Sequence, residues 1–227
     1  MKISDQKFRT LNQWLGESDL LKHARLSGSP SENSLIQTQK SWVEIKQICF
    51  NRPVDLIEIL SQAMPIRYGV WWGMLCGVGN NHFANCGLSA NCISTILEWI
   101  FQTDENHRLK VRAAAESTDW KMPEGLLARA VAWSAGSILP ETVPVFLPAP
   151  EGVTGQMIAG SVLSFAAQNT SQNYNEVLSY FISLGEEVAS GMLLPDGWHR
   201  QNMQLGNSSN IFHDLSPIEI PGHIDFG

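Results

Sequence analysis

From Arg52 to Gly191 apolar residues recur every three to four positions, interrupted only by short Gly, Asn and Pro punctuation. That period belongs to the 3.6-residue turn of a helix and not to the two-residue alternation of a strand. The chain is therefore expected to be all-α, a single-domain array or bundle of about six to eight short antiparallel helices ending in an irregular C-terminal tail.

The individual segments carry their own start and stop signals. Pro53 suits the first turn of a helix running to Met64, with Leu56, Ile57 and Leu60 on one face and Pro65 ending it. Arg67 to Gly79 places Val70, Trp71, Met74, Leu75 and Val78 at helical spacing, and Gly69, Gly73 and Gly77 line one face, so a buried, closely packed central helix is expected. A helix beginning near Ser89 carries the stripe Cys92, Ile93, Ile96, Leu97, Ile100 and Phe101, which Trp99 widens. TDENHRLKVRAAAEST follows with acids in its first turn and Arg108, Lys110 and Arg112 further on, as the helix dipole favours. Pro123 to Ala135 turns Leu127 and Val131 inward, with Gly136 as its C-cap. Thr154, as N-cap, starts a helix to Ala167, and Asn175 to Ser190 presents Val177, Phe181, Leu184 and Val188 before Gly191.

Between the helices, SILPETVPVFLPAPEG is broken by proline and glycine and predicts an extended crossover or a loop. Upstream, Leu11, Trp14 and Leu15, then Trp42, Ile45 and Ile48, suggest two helices separated by the linker-like SGSPSENS. Three parts result: an N-terminal helical arm over 1–51, a helical core over 52–194, and an extended tail over 195–227. The tail becomes alternating near Ile218, Ile220, Ile224 and Phe226, as a strand or a docking segment does. It is expected to dock on its own helical body or on a partner.

Charge narrows the partners. Of 227 residues 15 are Lys or Arg and 22 Asp or Glu, a net charge of −7 that disfavours binding to nucleic-acid phosphates. The start, MKISDQKFRTLNQWLGESD, has no uninterrupted apolar stretch behind a basic residue, and no apolar run reaches the ~20 residues of a membrane span. A cytoplasmic protein is expected. Cys49, Cys76, Cys86 and Cys92 lie in or beside apolar stretches and read as reduced, buried thiols.

No motif for chemistry is present. Cys76, His82, Cys86 and Cys92 lack the paired spacing of a structural zinc site. The chain has no GxSxG elbow, no P-loop and no dinucleotide fingerprint, and none of its six His stands in a catalytic pattern. Asp104 with Glu105, and Glu186 with Glu187, are adjacent and so read as solvated surface. No metal, cofactor or catalytic residue is expected. Trp71 and Trp72 lie about 100° apart on their helix, so one can face a neighbouring helix and the other a rim; core packing is the expected role for each, and an exposed Trp would instead suit a binding hot spot.

RYGVWWGMLCGVG, EWIFQTDENHRLKVRAAAES, ARAVAWSAGSILP, PAPEGVTGQMIAGSVLSFAA and GEEVASGM occur in that order between about Ile57 and Leu194. Together they resemble an uncharacterised bacterial helical family whose members are often mislabelled as twin-arginine translocation signal proteins. This N-terminus has no twin arginine. The resemblance implies an accessory role near type VI secretion adaptor and effector genes, and implies no catalytic residue. A non-enzymatic protein-binding role, adaptor-like or chaperone-like, is therefore expected, with Trp71, Trp72, Ile218, Ile220 and Phe226 as candidate partner contacts. The alternative is an enzyme whose site assembles only in three dimensions.

Overall fold

The computed structural model describes residues 9–193, apart from 18, 39–40, 81, 86–89, 141, 171 and 192. The described residues are all helical in architecture, with no strand beyond one isolated antiparallel bridge between Ser137 and Pro148. Ten α-helices run in the order α1 (Arg9–Glu17), α2 (Pro30–Thr38), α3 (Trp42–Ile48), α4 (Pro53–Ala63), α5 (Ile66–Gly79), α6 (Ala90–Phe101), α7 (Glu105–Glu116), α8 (Pro123–Ala132), α9 (Val153–Gln168) and α10 (Tyr174–Ser190). Short 3-10 turns occupy Asp19–His23 and His82–Asn85.

Ten helices exceed the expected six to eight, and the surplus lies at the N-terminal end. SGSPSENS is not a linker: Ser29 and Glu32 cap each other, the Ser29 amide donating to the Glu32 carboxylate at 2.9 Å and the Glu32 amide to Ser29 Oγ at 3.4 Å. This capping box, with Pro30 behind it, starts α2. Nor is the packing a simple sequential array. α9 lies against α8, α4 and α5, α10 lies against α4, α5 and α1, and α6 and α7 cover the far side of α8.

α5 is central because its small residues admit neighbours closely. A Cβ at Gly69 would meet Ile158 of α9, one at Gly73 would meet Leu127 of α8, and one at Gly77 would meet Phe83 and Phe165. Enclosed this way, every residue from Gly69 to Gly77 is buried. Neither Trp71 nor Trp72 therefore reaches a rim. Each is buried and each indole N–H is satisfied, Trp71 by the Leu193 carbonyl and Trp72 by the Phe181 carbonyl, both at 2.8 Å. Arg67, at the start of α5, donates to the Ile100 carbonyl at the end of α6, where the last carbonyls of a helix lack internal donors.

The N-terminal helices are held by buried polar groups that patterning alone does not reveal. Asp55 of α4 is fully buried, accepts from the Ser27 amide at 3.0 Å and hydroxyl at 2.9 Å, and faces Arg52 at 3.1 Å. Glu186 of α10 is buried too, against the surface expectation, and receives the Trp42 indole N–H at 2.7 Å and Lys46 Nζ at 2.6 Å. That pairing fastens α3 to the body.

Candidate functional site

Two places combine unusual chemistry with defined geometry. The first is inside, where the 3-10 turn after α5 meets the N-terminus of α8. His82 Nε2 lies 3.2 Å from the Glu124 carboxylate, which is fully buried in the first turn of α8, where the helix dipole favours a negative charge. The imidazole is held edge-on to Phe165 and Phe83, at 5.0 and 5.5 Å between ring centres. Around it, Ser161 donates to the Pro123 carbonyl at 2.8 Å, and the Cys92 thiol approaches the Glu124 carbonyl at 3.7 Å. Burial raises the Cys92 thiol above its ordinary range, so it is a protonated packing group and not a thiolate nucleophile. A carboxylate-oriented imidazole is chemically competent as a base. Sequence reasoning missed it because 42 residues separate the partners.

The second place is outside, and it is the segment left open as crossover or loop. Over 137–140 and 142–148 it is a strap closed on itself by hydrogen bonds. The Ile138 amide donates to the Leu147 carbonyl at 2.8 Å, and Ser137 Oγ accepts from the Leu139 and Leu147 amides at 3.2 and 3.1 Å. Two arginines of α7 hold its base. Arg108 donates to the Ala132 carbonyl at 2.5 Å, and Arg112 donates to the carbonyls of Ser137, at 2.9 Å, and Leu139. The tip beyond these anchors is wholly exposed from Thr142 to Pro148. Val143, Val145, Phe146 and Leu147 lie there together, Phe146 being 71% exposed and Val145 58%. Nearby on the α7–α8 connection, Trp120 is 52% exposed, with Trp133 at 5.7 Å between ring centres and the Arg129 guanidinium 4.0 Å from its ring.

The expected contact residues divide. Trp71 and Trp72 are interior, whereas Ile218, Ile220 and Phe226, like the rest of the tail, lie outside the described residues. Cys86 does so as well, and Cys49, Cys76 and Cys92 are buried free thiols. Among the described residues no group of three His, Cys, Asp or Glu side chains converges as a metal site would require. No described helix is long and apolar enough to cross a membrane.

An all-helical domain with a part-buried imidazole–carboxylate pair and an exposed apolar strap is the class of protein these features define. A family model matches residues 50–189, more than half of the chain, and the protein belongs to that family, DUF6931, a family of unknown function. The match covers α4 to α10 and the strap, and leaves the three N-terminal helices outside it. No curated protein and no solved structure matches the chain.

Proposed function

We propose that this is a non-enzymatic protein-binding accessory protein whose contact surface is the tip of the strap. The supporting observation is the combination of exposure and order at Val143, Val145, Phe146 and Leu147. Exposed apolar side chains on a backbone already fixed by Arg112 and Ser137 lose little conformational freedom on binding. A contiguous apolar projection of this kind is also costly in water, and a monomer without use for it would cover it. The adaptor-like or chaperone-like role near bacterial type VI secretion genes is the specific form of this reading that the family resemblance suggests, and a cytoplasmic location goes with it.

A photo-crosslinking amino acid at position 146, with exposed Gln102 as the control position, tests the proposal in the native host. A discrete adduct from 146 and none from 102 is the expected result. Equal labelling from both positions, or none from either, would remove the strap as a contact surface.

A second reading, an enzyme with a site assembled in three dimensions, is favoured by the His82–Glu124 pair, whose imidazole keeps 14% of its side-chain surface accessible. It requires wild-type turnover on a panel of ester, amide and glycoside substrates that disappears in His82→Gln.

A further inference from the structure

The hydrogen-bonding groups that the strap tip offers, and those it withholds, specify how a partner takes hold of it; this step rests on the protein-binding reading above. An extended segment joins the edge of a β-sheet through the amide and carbonyl of every second residue. One such set at the tip is Val143, Val145 and Leu147, and its amides are all spent within the strap. Val143 donates to the Pro140 carbonyl at 2.9 Å, Val145 to the Val143 carbonyl at 2.8 Å, and Leu147 to Ser137 Oγ at 3.1 Å. The other set, Thr142, Pro144, Phe146 and Pro148, contains two prolines, which have no amide hydrogen. Neither side of the tip can therefore extend a sheet ladder. Its acceptors are in the opposite condition. The carbonyls of Pro144, Val145 and Phe146 receive no hydrogen bond among the described residues, and all three residues are exposed.

We infer that a partner protein takes the tip into a cleft lined by Trp or Tyr side chains, which pack on Phe146 and the prolines and donate to the tip carbonyls. A partner that buries Phe146 also covers the carbonyls beside it, and a carbonyl buried without a donor loses its hydration for nothing. The tip gives only apolar side chains and acceptors, so the donors come from the partner. Trp and Tyr answer both needs, each joining an apolar ring to an N–H or O–H. The prolines at 140, 144, 148 and 150 fix φ at about −65°. That lowers the entropy lost on docking, the property that aromatic-lined grooves use in proline-rich segments. A purely apolar pocket would leave the acceptors unpaired, and a sheet edge would find too few donors.

The test uses full-length protein carrying a photo-crosslinking amino acid at position 146 in lysate of the native host, with unlabelled full-length protein as competitor. The labelled stretch of the partner, read by mass spectrometry, should contain Trp or Tyr. Phe146→Ser should compete about thirtyfold more weakly than the wild type, and Pro144→Ala/Pro148→Ala about fivefold or more weakly. A double variant that competes as well as the wild type or better would mean that restored amides are read, and would overturn the inference while leaving the protein-binding reading standing. A labelled stretch without Trp or Tyr would do the same. Should the double variant loosen the strap, seen as faster proteolysis within 142–148, the labelled stretch decides alone. An adduct between two copies of this chain would assign the tip to self-association and overturn the inference, and no adduct at all would overturn both readings.

Discussion

Gly73 offers the sharpest test of the packing. A Cβ there would lie 2.7 Å from Leu127 Cδ2 and 3.2 Å from Cδ1, whereas carbon atoms rest about 3.5–4.0 Å apart at their optimum. Leu127 is fully buried in α8, so its methyl groups can give way only by displacing other core atoms. Two terms oppose each other in Gly73→Ala. The helix gains about 1 kcal/mol because alanine is the better helix former, and overpacking costs about 1–3 kcal/mol. The net is a loss of up to about 2 kcal/mol. Gly73→Leu forces further carbons into the same gap and is expected near the upper end of the overpacking range, about 3 kcal/mol. Urea denaturation followed by circular dichroism reads these values directly, and a double-mutant cycle isolates the cause. Leu127→Ala alone should cost about 2–5 kcal/mol. In that background the clash is gone, so Gly73→Ala should become stabilising by about 1 kcal/mol, a coupling set by direct contact. If Gly73→Ala stabilises the wild type by the full propensity gain, with no coupling to Leu127, then α5 and α8 are not in the close contact described.

Four further outcomes follow from other contacts. Glu186→Ala removes the acceptor of both the Trp42 indole and Lys46 and should cost about 1.5–3 kcal/mol, the range for hydrogen bonds to a charged group; a change below about 0.5 kcal/mol in denaturant melts would detach α3 from the energetics of the body. Arg112→Met should leave the strap carbonyls of Ser137 and Leu139 without their donor and speed limited proteolysis within 137–148, and an unchanged cleavage rate would show that the arginine is dispensable. Phe146→Ser, at a 71% exposed position, should alter stability by no more than about 0.5 kcal/mol, and a larger loss would mean that the strap packs on the body. Finally, burial raises Cys49 from 9.0 to about 11 and Tyr180 from 10.0 to about 12. Both groups are neutral when folded below their unfolded pKa, so their contribution is fully present below about pH 9 and is lost as the pH climbs through 11 to 12. Unfolding midpoints should therefore fall across that alkaline window, and a flat profile would place both side chains in contact with water.

The helices from Pro53 to Ser190 were legible because each buries one stripe of apolar side chains, which forces a period that the sequence displays. The Gly69, Gly73 and Gly77 face was legible for the same reason, and its neighbours Ile158, Leu127 and Phe165 proved to be bulky side chains rather than bare backbone. α2 was hidden because its periodicity is weak, although the Ser29–Glu32 spacing that starts it stands in the sequence. Trp71 and Trp72 could not both be placed inward from one helix alone, since their common burial depends on four other helices closing around α5. Asp55, Glu124 and Glu186 escaped for a similar reason. A carboxylate looks solvated until the fold delivers its donor, and the donors to Glu124 and Glu186 come from 42 and 144 residues away. The strap was visible only as a run of prolines, because what orders it are arginine bonds reaching back to α7.

Those arginine bonds have a consequence for how the segment tolerates change. Arg108 and Arg112 grip oxygen atoms of the main chain at Ala132, Ser137 and Leu139, and such atoms are present whatever side chains follow. The mounting is thus indifferent to what it carries. Residues 142–147 form an interchangeable cartridge: a new binding sequence of similar length, grafted between Leu139 and Pro148, would inherit a fixed base without a single compensating substitution in the helices beneath.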